Sequence, residues 1–279
     1  MREIPANLIT ETVSRLCIEA NCFLPDDMKK RIDLCRGLED WPQAKEILDQ
    51  IVDNYEIAQN EHVPICQDTG MACVFLKVGQ DVHILGDVNE AVHEGVRKGY
   101  AEGYLRKSVV RDPLDRVNTG DNTPAVVYYE LIPGDKIEIT VAPKGFGSEN
   151  MSQIKMLRPS DGLQGVMDFV AQVVEEAGPN PCPPVVVGVG IGGTFDKAAY
   201  LAKKALLRPV DVRNSNTYYA DLEEKLLEKI NALGIGPQGF GGKTTALAVN
   251  IETFPTHIAG LPVAVNINCH VTRHKMEVL

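Results

Sequence analysis

Between residues 5 and 60 apolar positions recur at three-and-four spacing, in NLITETVSRLCIEANCFL and again in WPQAKEILDQIVDNYEIAQN, which is the period of amphipathic helices. From residue 63 the period shortens. ACVFLKVG and DVHIL predict strands around a turn at Gly79, and VNEAVHEGVRKGYAEGYL predicts a helix after them. TPAVVYYELI and KIEITVAPKG, joined by Pro133, Gly134 and Asp135, predict a hairpin that runs out into the Gly-rich polar segment KGFGSEN. Residues 160–177 predict a helix with Asp161 as its cap. NPCPPVVVGVGIGGTFDKAAYLAKKALL gives loop, buried strand, glycine turn and helix in succession, and LEEKLLEKINALG gives another helix. Residues 244–279 supply two apolar strands. Strands interleaved with helices predict a mixed α/β fold: a helical N-terminal region, then mixed strands, hairpins and helices. No internal repeat is present, and we expect residues 1–279 to form one domain with a candidate helical subregion at 1–60.

Composition adds mainly exclusions. At 279 residues, 44% hydrophobic and 24% charged, the chain is long enough for a sizeable core and has the make-up of an ordinary globular protein. A net charge of -10 argues against a sequence-independent grip on nucleic acid, which needs clustered Lys and Arg. One basic cluster, LRKSVVRDPLDR at 105–116, suits a small anionic substrate. The N-terminus lacks a signal-peptide pattern and no apolar run reaches 18 residues, so we expect a cytoplasmic protein with no membrane partner. Seven cysteines, an odd number in such a chain, point to burial or thiolate chemistry rather than a disulfide framework.

Cys17, Cys22 and Cys35 fall in the helical region, where burial is the expected fate. Cys66 in PICQDTG, Cys182 in NPCPPVVVGVG and Cys269 in VNINCHVTRH differ: each stands at the edge of an apolar strand beside Pro, Gln, Asn or His. Their wide separation excludes a compact ferredoxin run, so a metal site would have to be assembled by the fold. The residues alone leave three readings open: structural burial, a metal site, and a reactive thiol. Within the metal reading, zinc could take the three cysteines with His270 or His257, and a three-thiolate iron site would leave an open Lewis-acid position.

GVGIGG at 188–193 satisfies G-x-G-x-x-G between a strand and a helix. A dinucleotide site also needs a second strand ending in an acid about 20 residues on; DKAAYLAKKALL leaves little room for one, and Asp211 is a poor ribose ligand. The turn still offers backbone N–H groups to an anion or a cluster. GPQGFGGKTT at 236–245 fails as a P-loop because Pro237 stands where a glycine is needed, and it is read as a loop leading to Lys243. In KGFGSEN, Gly145 and Gly147 would let backbone approach a ligand, with Ser148, Glu149 and Asn150 as contacts, or simply form a hairpin exit. Arg106 and Arg111 are either surface charges or a carboxylate clamp. His257 is expected to be a satisfied buried histidine before an acid–base group.

Taken in order, PICQDTG, LRKSVVRDPL, KGFGSEN, PCPPVVVGVGIGGTFDKA, GPQGFGGKTTALAV and THIAGLPVAVNINCHVTRH resemble the alpha subunit of the class I, iron–sulfur fumarate hydratase and L-tartrate dehydratase family, over nearly the whole chain. The resemblance implies that Cys66, Cys182 and Cys269 ligate a 4Fe-4S cluster whose fourth iron binds substrate. It further implies that Gln67 and Asp68 touch that substrate, that Asp68 acts near its hydroxyl, and that Arg106 holds a carboxylate. The backbone at Gly145 and Gly147 would line the site, and His257 would reach it from a neighbouring protomer. The implied reaction is reversible hydration of fumarate to L-malate, with L-tartrate dehydration as the near alternative. Single-chain members continue into a second domain that supplies the catalytic base, so the resemblance implies a separate beta subunit in an α2β2 assembly. A non-catalytic iron–sulfur redox sensor would need the cysteines but not Gln67, Asp68 and Arg106.

Overall fold

The computed structural model describes residues 1–279. In chain order its elements are β1 (Arg2–Pro5), α1 (Ala6–Cys22), α2 (Asp26–Leu38), α3 (Pro42–Glu61), β2 (Met71–Gly79), β3 (Val82–Leu85), α4 (Val88–Glu102), β4 (Val126–Ile132) and β5 (Ile137–Lys144). There follow α5 (Phe146–Glu149), β6 (Gln153–Leu157), α6 (Gly162–Ala177), β7 (Val185–Gly192), α7 (Phe195–Ala205), α8 (Thr217–Asn231), β8 (Ala246–Phe254), β9 (Leu261–Asn268) and β10 (Lys275–Val278). The expected mixed α/β class is what the chain adopts. It divides into two compact units: Met1–Leu24, Tyr55–Phe146 and Arg273–Leu279 make the first, and Pro25–Asn54 with Gly147–Thr272 make the second. The N-terminal helices are shared out, α1 going to the first unit and α2 to the second, while α3 runs from the second into the first.

In the first unit a four-stranded sheet has the order β10-β5-β2-β4, and β1 pairs in parallel with β3 beside it. Ala72, Val74 and Leu76, on one face of β2, join Ile137, Ile139 and Val141 of β5 in a core with Val13, Leu16 and Cys17 of α1 and Val92, Val96 and Tyr100 of α4. On the other face Phe75 stacks on Tyr128, ring centroids 4.8 Å apart.

The expected hairpin is corrected here. β4 and β5 do not pair with each other; β2 lies between them, parallel to β4 and antiparallel to β5. The Pro-Gly-Asp connection wraps across the end of β2 instead: Gly79, Gln80 and Asp81 donate their N–H groups to the carbonyls of Lys136, Ile132 and Gly134 at 2.8, 2.8 and 2.9 Å. β2 is far more deeply buried than β4 and satisfies its backbone with a partner on each edge, which outweighs the local preference of the turn. No pair of consecutive strands forms a hairpin in any of the three sheets.

In the second unit the sheet order is β6-β9-β7-β8. β7 is buried at all eight positions because both its faces are covered. Val185, Val187, Val189 and Ile191 pack on α6 and α8. The alternate positions Gly188 and Gly190 face α7 so closely that an added Cβ would lie 2.2 Å from the Ala202 carbonyl oxygen and 2.1 Å from that of Ala198. These glycines therefore seat a helix on a strand, which is the physical content of the 188–193 motif in this chain. Asp161 also departs from expectation: its carboxylate turns back to accept the Arg158 N–H at 2.8 Å, and no side-chain bond caps α6. The buried Glu223 of α8 accepts hydrogen bonds from Arg208, from the Ile251 N–H at 2.8 Å and from the Asn214 N–H at 3.0 Å, which ties α8 to β8.

No helix is long and apolar enough to cross a membrane.

Candidate active site

Within the first unit the segment PICQDTG runs from the end of α3 into β2. Its start is anchored by the buried Ile65, whose N–H reaches the Asn21 carbonyl of α1 at 3.0 Å. Cys66 and Asp68 are half-buried and Gln67 is exposed. The Asp68 N–H donates to Cys66 Sγ at 3.4 Å, and the thiol donates to Gln67 Oε1 at 3.2 Å. Both carboxylate oxygens of Asp68 accept backbone N–H groups, Oδ1 from Gly70 at 3.0 Å and Oδ2 from Phe146 at 2.9 Å. Gly145 makes the second bond sterically feasible, because a Cβ there would already stand 3.1 Å from Asp68 Oδ2.

Behind the loop, three successive carbonyls are taken by buried side chains. The Asp68 carbonyl accepts from Arg273 Nη2. The Thr69 and Gly70 carbonyls accept from the Tyr100 hydroxyl at 2.8 and 3.1 Å, and Gly70 also from Asn122 Nδ2 at 3.1 Å. Neither Arg273 nor Tyr100 is marked by any local sequence signal. Only Asn122 carries a local signal, a polar turn sequence in which it adopts φ 62°.

Arg106 is exposed, its guanidinium joins no ion pair, and its carbonyl accepts the Thr69 hydroxyl at 2.9 Å. The basic loop is thereby tied to the cysteine loop. Arg111 pairs with Asp115 at 3.2 Å, an exposed ion pair that Arg106 does not share. The same loop carries Tyr104 and Leu114, 93% and 92% exposed.

In the second unit the antiparallel pairing of β7 with β9, Val186 opposite Asn268, brings the Cys182 segment beside Cys269. The Cys182 carbonyl accepts the His270 backbone N–H at 3.4 Å and lies 3.0 Å from the ring Nδ1 of the same residue. Cys182 itself sits at φ 55°, a left-handed conformation that a non-glycine residue holds only where its surroundings impose it. Gly147 borders this segment, with the Asn180 carbonyl 3.8 Å from where a Cβ would be. Glu149 is engaged elsewhere, with Lys203 at 2.6 Å and Asn266 at 2.7 Å, and Ser148 is buried, so neither is poised for a ligand. Lys243 likewise reaches Asp40 at 2.6 Å. His257 is corrected: it lies exposed on the β8–β9 loop with Nδ1 accepting the Ala259 N–H at 3.2 Å, and is not a buried histidine.

No disulfide joins any of the seven cysteines. Cys17, Cys22, Cys35 and Cys73 are buried, as expected for the first three, whereas Cys66, Cys182 and Cys269 are half-buried or exposed. Burial alone raises the Cys17 thiol, to about 12, and it also raises Cys22 and Cys35. No group of three or more His, Cys, Asp or Glu side chains is placed to hold a metal ion. Cys66, Cys182 and Cys269 each offer a thiol of the donor type an iron–sulfur group takes, outside the buried cores and on a backbone segment held by hydrogen bonds.

The sequence model of the fumarate hydratase (Fumerase) family matches residues 10–277. The "Putative L(+)-tartrate dehydratase subunit alpha" of Methanocaldococcus jannaschii is 44% identical over 276 residues, covering 96% of this chain and 96% of its own. The L(+)-tartrate dehydratase subunits alpha of Escherichia coli and Shigella sonnei are each 36% identical over 271 residues, covering 96% of this chain and 89% of their own. Matched almost end to end by the family model and by these relatives, the chain belongs to the fumarate hydratase (Fumerase) family.

Proposed function

We propose that this chain is the alpha subunit of a two-subunit iron–sulfur hydro-lyase that reversibly hydrates fumarate to L-malate. The observation that carries the reading is the pairing of an accessible Cys66 with an Asp68 carboxylate held two residues away by the N–H groups of Gly70 and Phe146. Cys66, Cys182 and Cys269 would hold a 4Fe-4S cluster, which when bound supplies a Lewis-acidic iron that polarises substrate oxygens.

The chain's own groups would do the rest. Arg106, with no ion pair of its own, would grip a substrate carboxylate through its planar fork. The exposed Gln67 amide and the backbone at Gly145 and Gly147 would orient the same molecule. Each Asp68 carboxylate oxygen keeps a further acceptor position beyond the backbone N–H it receives, so Asp68 would hand a proton to, or take one from, the substrate hydroxyl. His257, on its exposed loop, would serve a neighbouring protomer. The base that removes the carbon-bound proton would come from a beta subunit, in an α2β2 assembly. The relatives' description as "subunit alpha" supports that partner.

A second reading, L-tartrate as substrate, is supported by the names of the relatives. The test is loss of fumarate absorbance after anaerobic iron and sulfide reconstitution, with and without the candidate beta chain, run beside an L-tartrate arm. Fumarate hydration by the pair alone supports the proposal. Turnover of L-tartrate alone transfers it to the second reading, and inactivity on both with a full cluster overturns it in favour of a non-catalytic iron–sulfur protein.

A further inference from the structure

Arg273 is 4% exposed, and its Nε and Nη1 groups have no hydrogen-bond partner. A buried guanidinium is costly unless its position is useful, and only its Nη2 is employed, on the Asp68 carbonyl. The next two carbonyls are held in the same way by Tyr100 and Asn122. Both of these donors are buried, and Asn122 is fixed in turn by accepting the N–H groups of Ser108 and Val109 at 2.7 and 3.2 Å. With the carbonyls of residues 68 to 70 all turned inward, the N–H of Asp68 is left to face Cys66 Sγ and that of Gly70 to face the Asp68 carboxylate.

We propose that Arg273 is a positioning residue. With Tyr100 and Asn122 it clamps three consecutive backbone carbonyls, and so fixes the direction in which Cys66 and Asp68 leave the chain. The clamp stands on the geometry alone; its catalytic consequence rests on the hydro-lyase reading above. Arg273 touches no substrate in this account. It acts through the peptide that joins Asp68 to Thr69, and a lysine in its place would keep the charge but lose the directed Nη2 donor.

The test is amide hydrogen exchange on the full-length chain bearing Arg273→Met, with Arg273→Lys and Tyr100→Phe as companions. A bond from a charged donor to a backbone carbonyl is strong enough that its loss should speed exchange across residues 64–72 by about 10-fold. Peptides from β5 and β7 should be unchanged. Unaltered exchange at 64–72, or equal acceleration throughout, overturns the proposal, the latter because it marks a general loss of stability. If Arg273→Met does not fold, Arg273→Lys decides by the same comparison. In the assembled two-chain enzyme Arg273→Met should lower kcat more than it raises KM; an unchanged kcat with a loosened loop overturns the positioning role. If the unaltered enzyme turns over neither fumarate nor L-tartrate, the functional reading fails, while the exchange result still decides the clamp.

Discussion

The Asp68 carboxylate receives the Phe146 N–H at 2.9 Å on one oxygen and the Gly70 N–H at 3.0 Å on the other, so this acid is oriented by backbone at both ends. Asp68→Asn must then oppose an amide N–H to a backbone N–H in either orientation of its side chain. Its rate on fumarate or L-tartrate should fall by ~100-fold or more, the range for removing a positioned acid–base group. Iron and sulfide content per chain, measured alongside, should stay at the level of the unaltered protein.

Cysteine replacements should separate into two classes. Cys66→Ser, Cys182→Ser and Cys269→Ser should each lose iron and acid-labile sulfide on anaerobic reconstitution, because these thiols are accessible. Cys35→Ala and Cys73→Ala, at buried sites, should load normally and lose only ~1 kcal/mol of stability or somewhat more. Loading equal to that of the unaltered chain in any of the three serine variants would remove that cysteine from the ligand set.

Gly190→Ala tests the reading of the 188–193 motif. Its new methyl would stand 2.1 Å from the Ala198 carbonyl oxygen of α7, a backbone atom that cannot move without shifting the helix. We expect a loss of ~3 kcal/mol or more, or no soluble protein. Gly120→Ala meets no neighbouring atom and carries only the strain of φ 82°, about 1 kcal/mol. Urea unfolding of the two variants should rank them in that order.

Glu223→Gln should be as damaging as a core truncation. The carboxylate is fully buried and accepts from Arg208, Ile251 and Asn214, so removing its charge leaves the Arg208 cation without its main partner. Breaking one side of a buried pair costs about 3–5 kcal/mol, visible as a lowered urea midpoint. A double replacement of Arg208 and Glu223 by apolar residues should recover part of it.

Alkaline pH should weaken the fold through Cys17. Burial raises its thiol from 9.0 to about 12 in the folded chain. A folded-state pKa above the unfolded one gives stability that is complete below pH 9 and lost as pH rises toward 12. In that window this one group contributes a slope of about 1.4 kcal/mol per pH unit. Cys17→Ala should flatten the pH dependence of urea unfolding between pH 9 and 12, and a slope identical to that of the unaltered chain would contradict it.

The helices and the long apolar strands were legible because their periods are local: α1, α4 and α8 repeat at 3.6, and β7 is an unbroken apolar run. β6 and β10, five and four residues of mixed polarity, were not legible, since each takes its conformation from the strand it pairs with. The glycines of β7 were visible as a motif but not as a packing device, because the helix they accommodate lies on the other side of a turn. Arg273 gave no sign at all. An arginine in a polar C-terminal stretch reads as a surface charge, and only the folded chain buries it.

The sequence by itself determined the α/β class, most of the elements, the family, and the separate standing of Cys66, Cys182 and Cys269, since these depend on residue type and on spacing along the chain. Tertiary structure alone decided that β2 separates β4 from β5, that His257 is exposed, that Arg111 turns to Asp115 while Arg106 stays unpaired, and that three buried donors hold the carbonyls behind Asp68. The physical reason is the same in each case. Which backbone group satisfies which depends on what is buried next to it, and burial is a property of contacts between distant segments.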